Sequence, residues 1–362
     1  MSARARLLVV FGLVGLLGCS SGGEAPATRI DLSQPWATGT PADVGMSQQS
    51  LDKAASACAA IPRCRALVVA RHGLLVFERY FVDASADTPF DVRSVTKSVT
   101  GALTGIALRD GILKSLDDSM GNYIGAVYTL DDQNRAVHLA HLTTMTGGWQ
   151  WDDTVDYNLW IVSDEHVQYL LDRPHVVAPG AFFDYNSAAV HVLGVALQLA
   201  GGTPLPDYAN QHLFAPLAID GAAWEELENG RVNAGAGIQL KGRDLLKLGQ
   251  LYLQRGWSGA TSVVPESWVD QSSSPQFSWR DPDDGGLQSV TYGRLWWVSD
   301  HAPGTFFAWG YGGQFIFVVT SLDLVVVTTT NWQGVSQDPN GVVGLEDQMF
   351  GVVVNDVFPA AK

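Results

Sequence analysis

Apolar residues recur along this chain with two different periods. In RALVVARHGLLVFERYFV (65–82) two β-rich runs meet at His72-Gly73 and predict a hairpin. SQQSLDKAASACAA (47–60) reads as a helix capped by Ser47 or Ser50. From about 94 to 255 the pattern is mostly helical. AAVHVLGVALQLAGG (188–202) and GRDLLKLGQLYLQRG (242–256) each carry an apolar stripe and end in glycine. Strand character returns in YGRLWWVSD (292–300) and GQFIFVVTSLDLVVVTTTN (313–331), and GLEDQMFGVVVNDVF (344–358) is again helical. Strands at both ends of a helical middle predict an α+β fold: one antiparallel sheet flanked by terminal helices, with a helical insertion at about 100–255.

The first residues break this pattern. Arg4 and Arg6 precede an apolar run, Leu7 to Leu17, that is too short to span a bilayer and reads as an export signal. Leu16-Leu17-Gly18-Cys19 resembles a lipoprotein lipobox, which implies a signal at 1–18, lipidation of Cys19 and, with Ser20 following, the periplasmic face of an outer membrane. An ordinary cleaved signal is the alternative. Residues 19–42, rich in small residues and proline, read as a flexible tether, leaving one domain at 43–358. Without 1–18 the chain carries 20 basic and 37 acidic residues, net −17, which argues against nucleic acid or anionic lipid as a partner. Cys58 and Cys64 remain. Export permits a disulfide between them, with Ile61-Pro62 turning the chain back, and two buried thiols are the alternative.

Chemistry concentrates in FDVRSVTKSVTGALTGIALRDG (90–111). Ser94 and Lys97 share a helix face at the head of a run that stays uncharged until Arg109. A helix that apolar is buried, and burial pushes a lysine toward its neutral form, able to take a proton from Ser94; a capping serine with a lysine snorkelling to the surface is the alternative. The helix N-terminus adds N–H donors beside the serine. The spacing alone is weak evidence, because Ser50 and Lys53 repeat it on an amphipathic helix surface.

The segment around Ser94 resembles the nucleophile region of the class C β-lactamase-like serine hydrolases, which include family VIII esterases, 6-aminohexanoate-dimer hydrolases and penicillin-binding peptidases. VHLAHLTTMTGGW (137–149), PGAFFDYNSAAVHVLGVALQLAGGTPL (179–205), AGAGIQLKGRDLLKLGQLYL (234–253) and TYGRLWWV (291–298) match in kind and order. The resemblance spans about 43–358 and implies the β-lactamase/transpeptidase-like fold. It gives Tyr185 a role beside Ser94 and Lys97, taking and returning a proton. For a phenol to do this near neutral pH, a nearby cation must lower its pKa, and Lys97 is the candidate.

Two motifs depart from the β-lactamase pattern. Tyr-x-Asn is replaced by Tyr185-Asn186-Ser187, which makes Ser187 the substrate-facing residue. FFAWGYGGQFIF (306–317) lacks the Lys-Thr-Gly lysine. The GYGGQ edge still fits an oxyanion hole built from the N–H groups of Ser94 and Tyr311, with Gly310 and Gly312 as neighbouring candidates. Trp149, Trp151 and Trp160, with Trp309, are candidates for an apolar acyl site.

His138 and His141 lack a third metal ligand, and DPDDGG (281–286) reads as a surface turn, so neither metal nor cofactor is expected. The expectation is an acyl-enzyme hydrolase acting on a small ester or amide, needing no protein partner. A D-amino-acid peptidase or β-lactamase, and a non-catalytic binding module on the same fold, are the alternatives.

Overall fold

The computed structural model describes residues 29–361 except 229, 278–280, 285 and 339. Among them, eight strands form one antiparallel sheet: β1 Cys64–Arg71, β2 Leu74–Tyr80, β3 Asp281–Asp284, β4 Leu287–Tyr292, β5 Trp297–Ser299, β6 Thr305–Gly310, β7 Gln314–Val319 and β8 Leu324–Thr330. Their spatial order is β3-β4-β5-β6-β7-β8-β1-β2. The hairpin read at His72-Gly73 is β1–β2, and both loop residues have positive φ, as a two-residue turn between twisted strands requires. DPDDGG, read as a surface turn, instead contributes β3, whose partner begins at Leu287.

Side chains alternate across the central strands, so β1, β7 and β8 each serve two cores. Leu67, Val69, Phe317 and Val326 face helix α1, Gln48–Ala60, and the C-terminal helical segment. Ala66, Val68, Ile316 and Val325 face the larger core, which holds α2 (Val95–Arg109), α3 (Asp153–Trp160), α4 (Ser187–Gly201) and α5 (Gly242–Leu253). The C-terminal segment runs through α6, Gly341–Gly351, to Ala360. Ser47 caps α1, its hydroxyl accepting from the Ser50 N–H at 3.2 Å. A disulfide joins Cys58, near the end of α1, to Cys64, which opens β1, with Cα atoms 5.6 Å apart.

The mostly helical middle stands with one addition, and the tether needs correction. The helical middle contains strands: Ile238–Lys241 pairs with both Pro89–Asp91 and Ala223–Trp224. This small sheet matters for the site, because it lays the turn before α2 against residues 233–238. There the Val92 N–H donates to the Ile238 carbonyl, and the Thr100 hydroxyl donates to the Ala234 carbonyl. The stretch read as a tether is docked from residue 30 onward. Leu32 is buried, its N–H bonded to Ser258 Oγ at 2.8 Å, and Thr38 bridges Leu75 in parallel. Residues 1–28, with Cys19, lie outside the described residues.

Candidate active site

Ser94 occupies the N-cap of α2, and Arg93 before it adopts a left-handed backbone with φ 50°. That conformation costs a non-glycine residue about 1 kcal/mol or more, and neighbours hold it. The Arg93 N–H donates to Asp91 Oδ1, and the guanidinium donates to the Tyr157 hydroxyl and lies 4.4 Å from the Trp332 ring centre. The result turns Ser94 into a cavity of about 990 Å³ between the sheet and the helical region.

Lys97, one turn into α2, is 1% exposed. Its Nζ donates to Ser94 Oγ at 2.7 Å, to Ser187 Oγ at 2.9 Å and to the Gly235 carbonyl at 2.8 Å. Burial pushes the amine down to about 7; the Asp153 carboxylate opposes that shift and Arg93 adds to it. The amine therefore exchanges protons in the neutral range while contacting the serine.

Ser187 opens α4 and lines the cavity, but its hydroxyl is committed inward. It accepts from Lys97 and donates to Asp153 Oδ2 at 3.0 Å. The other Asp153 oxygen accepts from the Ser187 N–H at 2.8 Å and from Trp151 Nε1 at 3.0 Å. The expected substrate contact is thus a member of the lysine's own network. Asp153 is a residue that the sequence reading passes over: GGWQWDDTVDYNLW reads as a loop near the pocket, notable for its tryptophans.

Tyr185 stacks on Trp297, and its ring centre is 4.9 Å from Lys97 Nζ. Its phenol interacts with Ser94, which favours ionisation, but burial and the Asp153 charge dominate and hold it well above the ordinary tyrosine range. This reverses the expectation of a lowered phenol. A lysine pushed toward neutrality supplies little positive charge to lower its neighbour. Tyr185 at rest is a proton donor.

At the opposite wall, β6 ends at Gly310, where a Cβ would stand 2.2 Å from the Val92 carbonyl. Only glycine lets this strand end lie against the turn that carries Ser94. The Gly312 N–H is taken by Glu346 Oε1 at 2.7 Å, and neither glycine lines the cavity, whereas Ser94 and Tyr311 do. Of the tryptophans, Trp151 and Trp309 line the cavity, joined by Trp297 and Trp332. Trp149 and Trp160 do not. Trp149 is 2% exposed, bonds Asn134 Oδ1 through its Nε1 and packs on His175; Trp160 donates to the His166 carbonyl in the core. Aromatic character marked all four alike, and only tertiary packing separates them. His138 and His141 stack on each other, with the His138 N–H bonded to His141 Nδ1.

An antiparallel sheet with helices on both faces, and a serine–lysine pair at the head of a buried helix, define the β-lactamase/transpeptidase-like class. The family model for Beta-lactamase matches residues 58–343, and the chain belongs to that family. A 6-aminohexanoate-dimer hydrolase of Paenarthrobacter ureafaciens is 25% identical over 154 residues, which is 41% of this chain and 39% of that relative. The match thus spans about two fifths of the relative's length. A Bacillus anthracis structure provisionally named for the same dimer hydrolase superposes with TM-score 0.70 at 19% identity, covering 92% of this chain and 89% of that one. The hydrolase EstCE1, described as having promiscuous acyltransferase activity, gives TM-score 0.65 at 17% identity, covering 84% and 99%. At these identities the two structures establish the fold.

Proposed function

We propose that this protein is a serine hydrolase that cleaves a small ester or amide through an acyl-enzyme on Ser94. The observation that carries this reading is the buried amine of Lys97, poised near neutrality and 2.7 Å from the Ser94 hydroxyl. Ser94 Oγ attacks the substrate carbonyl carbon while its proton passes to Lys97. The N–H groups of Ser94 and Tyr311 hold the resulting oxyanion. Tyr185, kept protonated by burial, gives its proton to the leaving oxygen or nitrogen and recovers one from the Lys97 ammonium. Water then attacks the acyl group by the reverse route and releases the acid.

The cavity's charges bear on the substrate. Arg93 is the sole cation among the described lining residues, and it is engaged by Tyr157 and Trp332; Asp152, Asp153, Asp184 and Glu346 also line the space. With no lysine on β6 or β7, an anionic group such as a β-lactam carboxylate is poorly served. Neutral esters and amides fit better. The same reading keeps the exported, Cys19-anchored location, which the Cys58–Cys64 disulfide supports.

The test is turnover of a short-chain p-nitrophenyl ester by purified protein, with nitrocefin and an aminohexanoate dimer as parallel substrates. Ester hydrolysis should fall by at least about a thousandfold in Ser94→Ala and by about a hundredfold or more in Tyr185→Phe. Equal rates in wild type and Ser94→Ala, with no acyl adduct by intact mass, would sink the reading.

A further inference from the structure

A neutral lysine amine has two N–H donors and one lone pair. To act as base toward Ser94, Lys97 must point its lone pair at that hydroxyl. Two of its three contacts must then be pure acceptors. The Gly235 carbonyl is one by its chemistry. The other is Ser187 Oγ, a hydroxyl that could equally donate. Its proton is committed elsewhere, to Asp153 Oδ2.

We propose that Asp153 is a positioning residue for the hydrolysis: by holding the Ser187 proton, it leaves the lone pair of neutral Lys97 only one direction, toward Ser94. This rests on the acyl-enzyme reading above. The geometry makes the role specific. Asp153 Oδ1 is already filled by the Ser187 N–H and Trp151 Nε1, which fixes the carboxylate in the plane that presents Oδ2 to the hydroxyl. The same carboxylate accepts the first N–H of α4, that of Ser187, beside the N-cap Asn186, so its charge faces the positive end of the helix. An aspartate is needed because both of its oxygens accept. In Asp153→Asn the amide oxygen stays with the two N–H donors, and the NH₂ group faces Ser187 Oγ. That hydroxyl must then turn its proton toward Lys97, where it competes for the lone pair.

The experiment is steady-state ester hydrolysis at pH 9, above the range in which Lys97 titrates, on Asp153→Asn, Ser187→Ala and the double variant, with Ser94→Ala alongside. Asp153→Asn should lower kcat by roughly tenfold to a hundredfold with little change in KM or Tm. In the double variant the misdirected hydroxyl is gone, so kcat should be no lower than in Ser187→Ala alone. A kcat within about twofold of wild type in Asp153→Asn, or losses that multiply in the double variant, would overturn the proposal. If either occurs while Ser94→Ala is inactive, the acyl-enzyme reading survives. A wild-type rate in Ser94→Ala overturns both.

Discussion

Two Ser-x-x-Lys tetrads lie near the start of helices in this molecule, Ser50 to Lys53 on α1 and Ser94 to Lys97 on α2. On α1 the serine hydroxyl donates to the capping Ser47, and the lysine, its side chain 73% exposed, reaches Asp356 at 2.7 Å. On α2 the lysine is 1% exposed and meets the serine it follows. Spacing is identical, so spacing does not make the chemistry. What differs is the surroundings. α1 offers one face to the sheet and the other to water. α2 is enclosed by the sheet, α4 and the 233–238 segment, so its lysine must find every partner inside the protein.

The sharpest way to break this contrast is the same substitution at both lysines. Lys97→Arg fixes a positive charge there and removes the base, because a guanidinium does not give up its proton. Ester hydrolysis should fall by about a thousandfold, while Lys53→Arg should stay within about twofold of wild type in rate. Comparable rates in the two variants would dissolve the distinction.

A second consequence is read in stability. The folded-state pKa of Lys97 lies near 7, below that of an unfolded-chain lysine. Between those values the unfolded chain binds a proton that the folded chain does not, so stability rises with pH from about 7 toward the ordinary lysine range and is insensitive to this group below 7. Across pH 7 to 10, the Tm of wild type should climb relative to that of Lys97→Met. Parallel profiles would mean that the buried amine stays charged.

The smallest effect belongs to the α1 side. Reducing Cys58–Cys64 opens a short loop and should cost about 2 kcal/mol, a fall of a few degrees in Tm. Because no residue of α1 and neither cysteine lines the cavity, kcat should not move. A parallel loss of activity would show that the two faces are coupled.

How much of this was legible depends on the range of the interaction. The β1–β2 hairpin, α1 and the buried character of α2 follow from local periodicity, and the structure has them where the pattern put them. The small sheet through Ile238–Lys241 was missed because its strands are short and one of them, Pro89–Asp91, lies well over a hundred residues away. Ser187 was visible as a departure from an asparagine, but its true partners are Lys97 and Asp153, 90 and 34 residues away. Nothing in the pattern of either segment encodes that meeting. Trp149 shows the opposite limit: an aromatic beside a pocket loop is equally suited to the pocket or to the core beneath it. Tyr185 lines the cavity beside Lys97, but its phenol is raised where the sequence reading lowers it, since burial acts on both the phenol and the lysine meant to lower it.

One of the three partners of Lys97 is a peptide carbonyl, that of Gly235. No side-chain replacement deletes a carbonyl, so this part of the lysine's environment is silent to alanine scanning. It is silent to residue-by-residue comparison as well. It yields only through shape: a Cβ at position 235 would stand 2.7 Å from the Ser187 carbonyl and push the turn off α4. A mutational survey would record that position as an intolerant packing glycine, and the hydrogen bond its oxygen accepts from Lys97 would go uncounted.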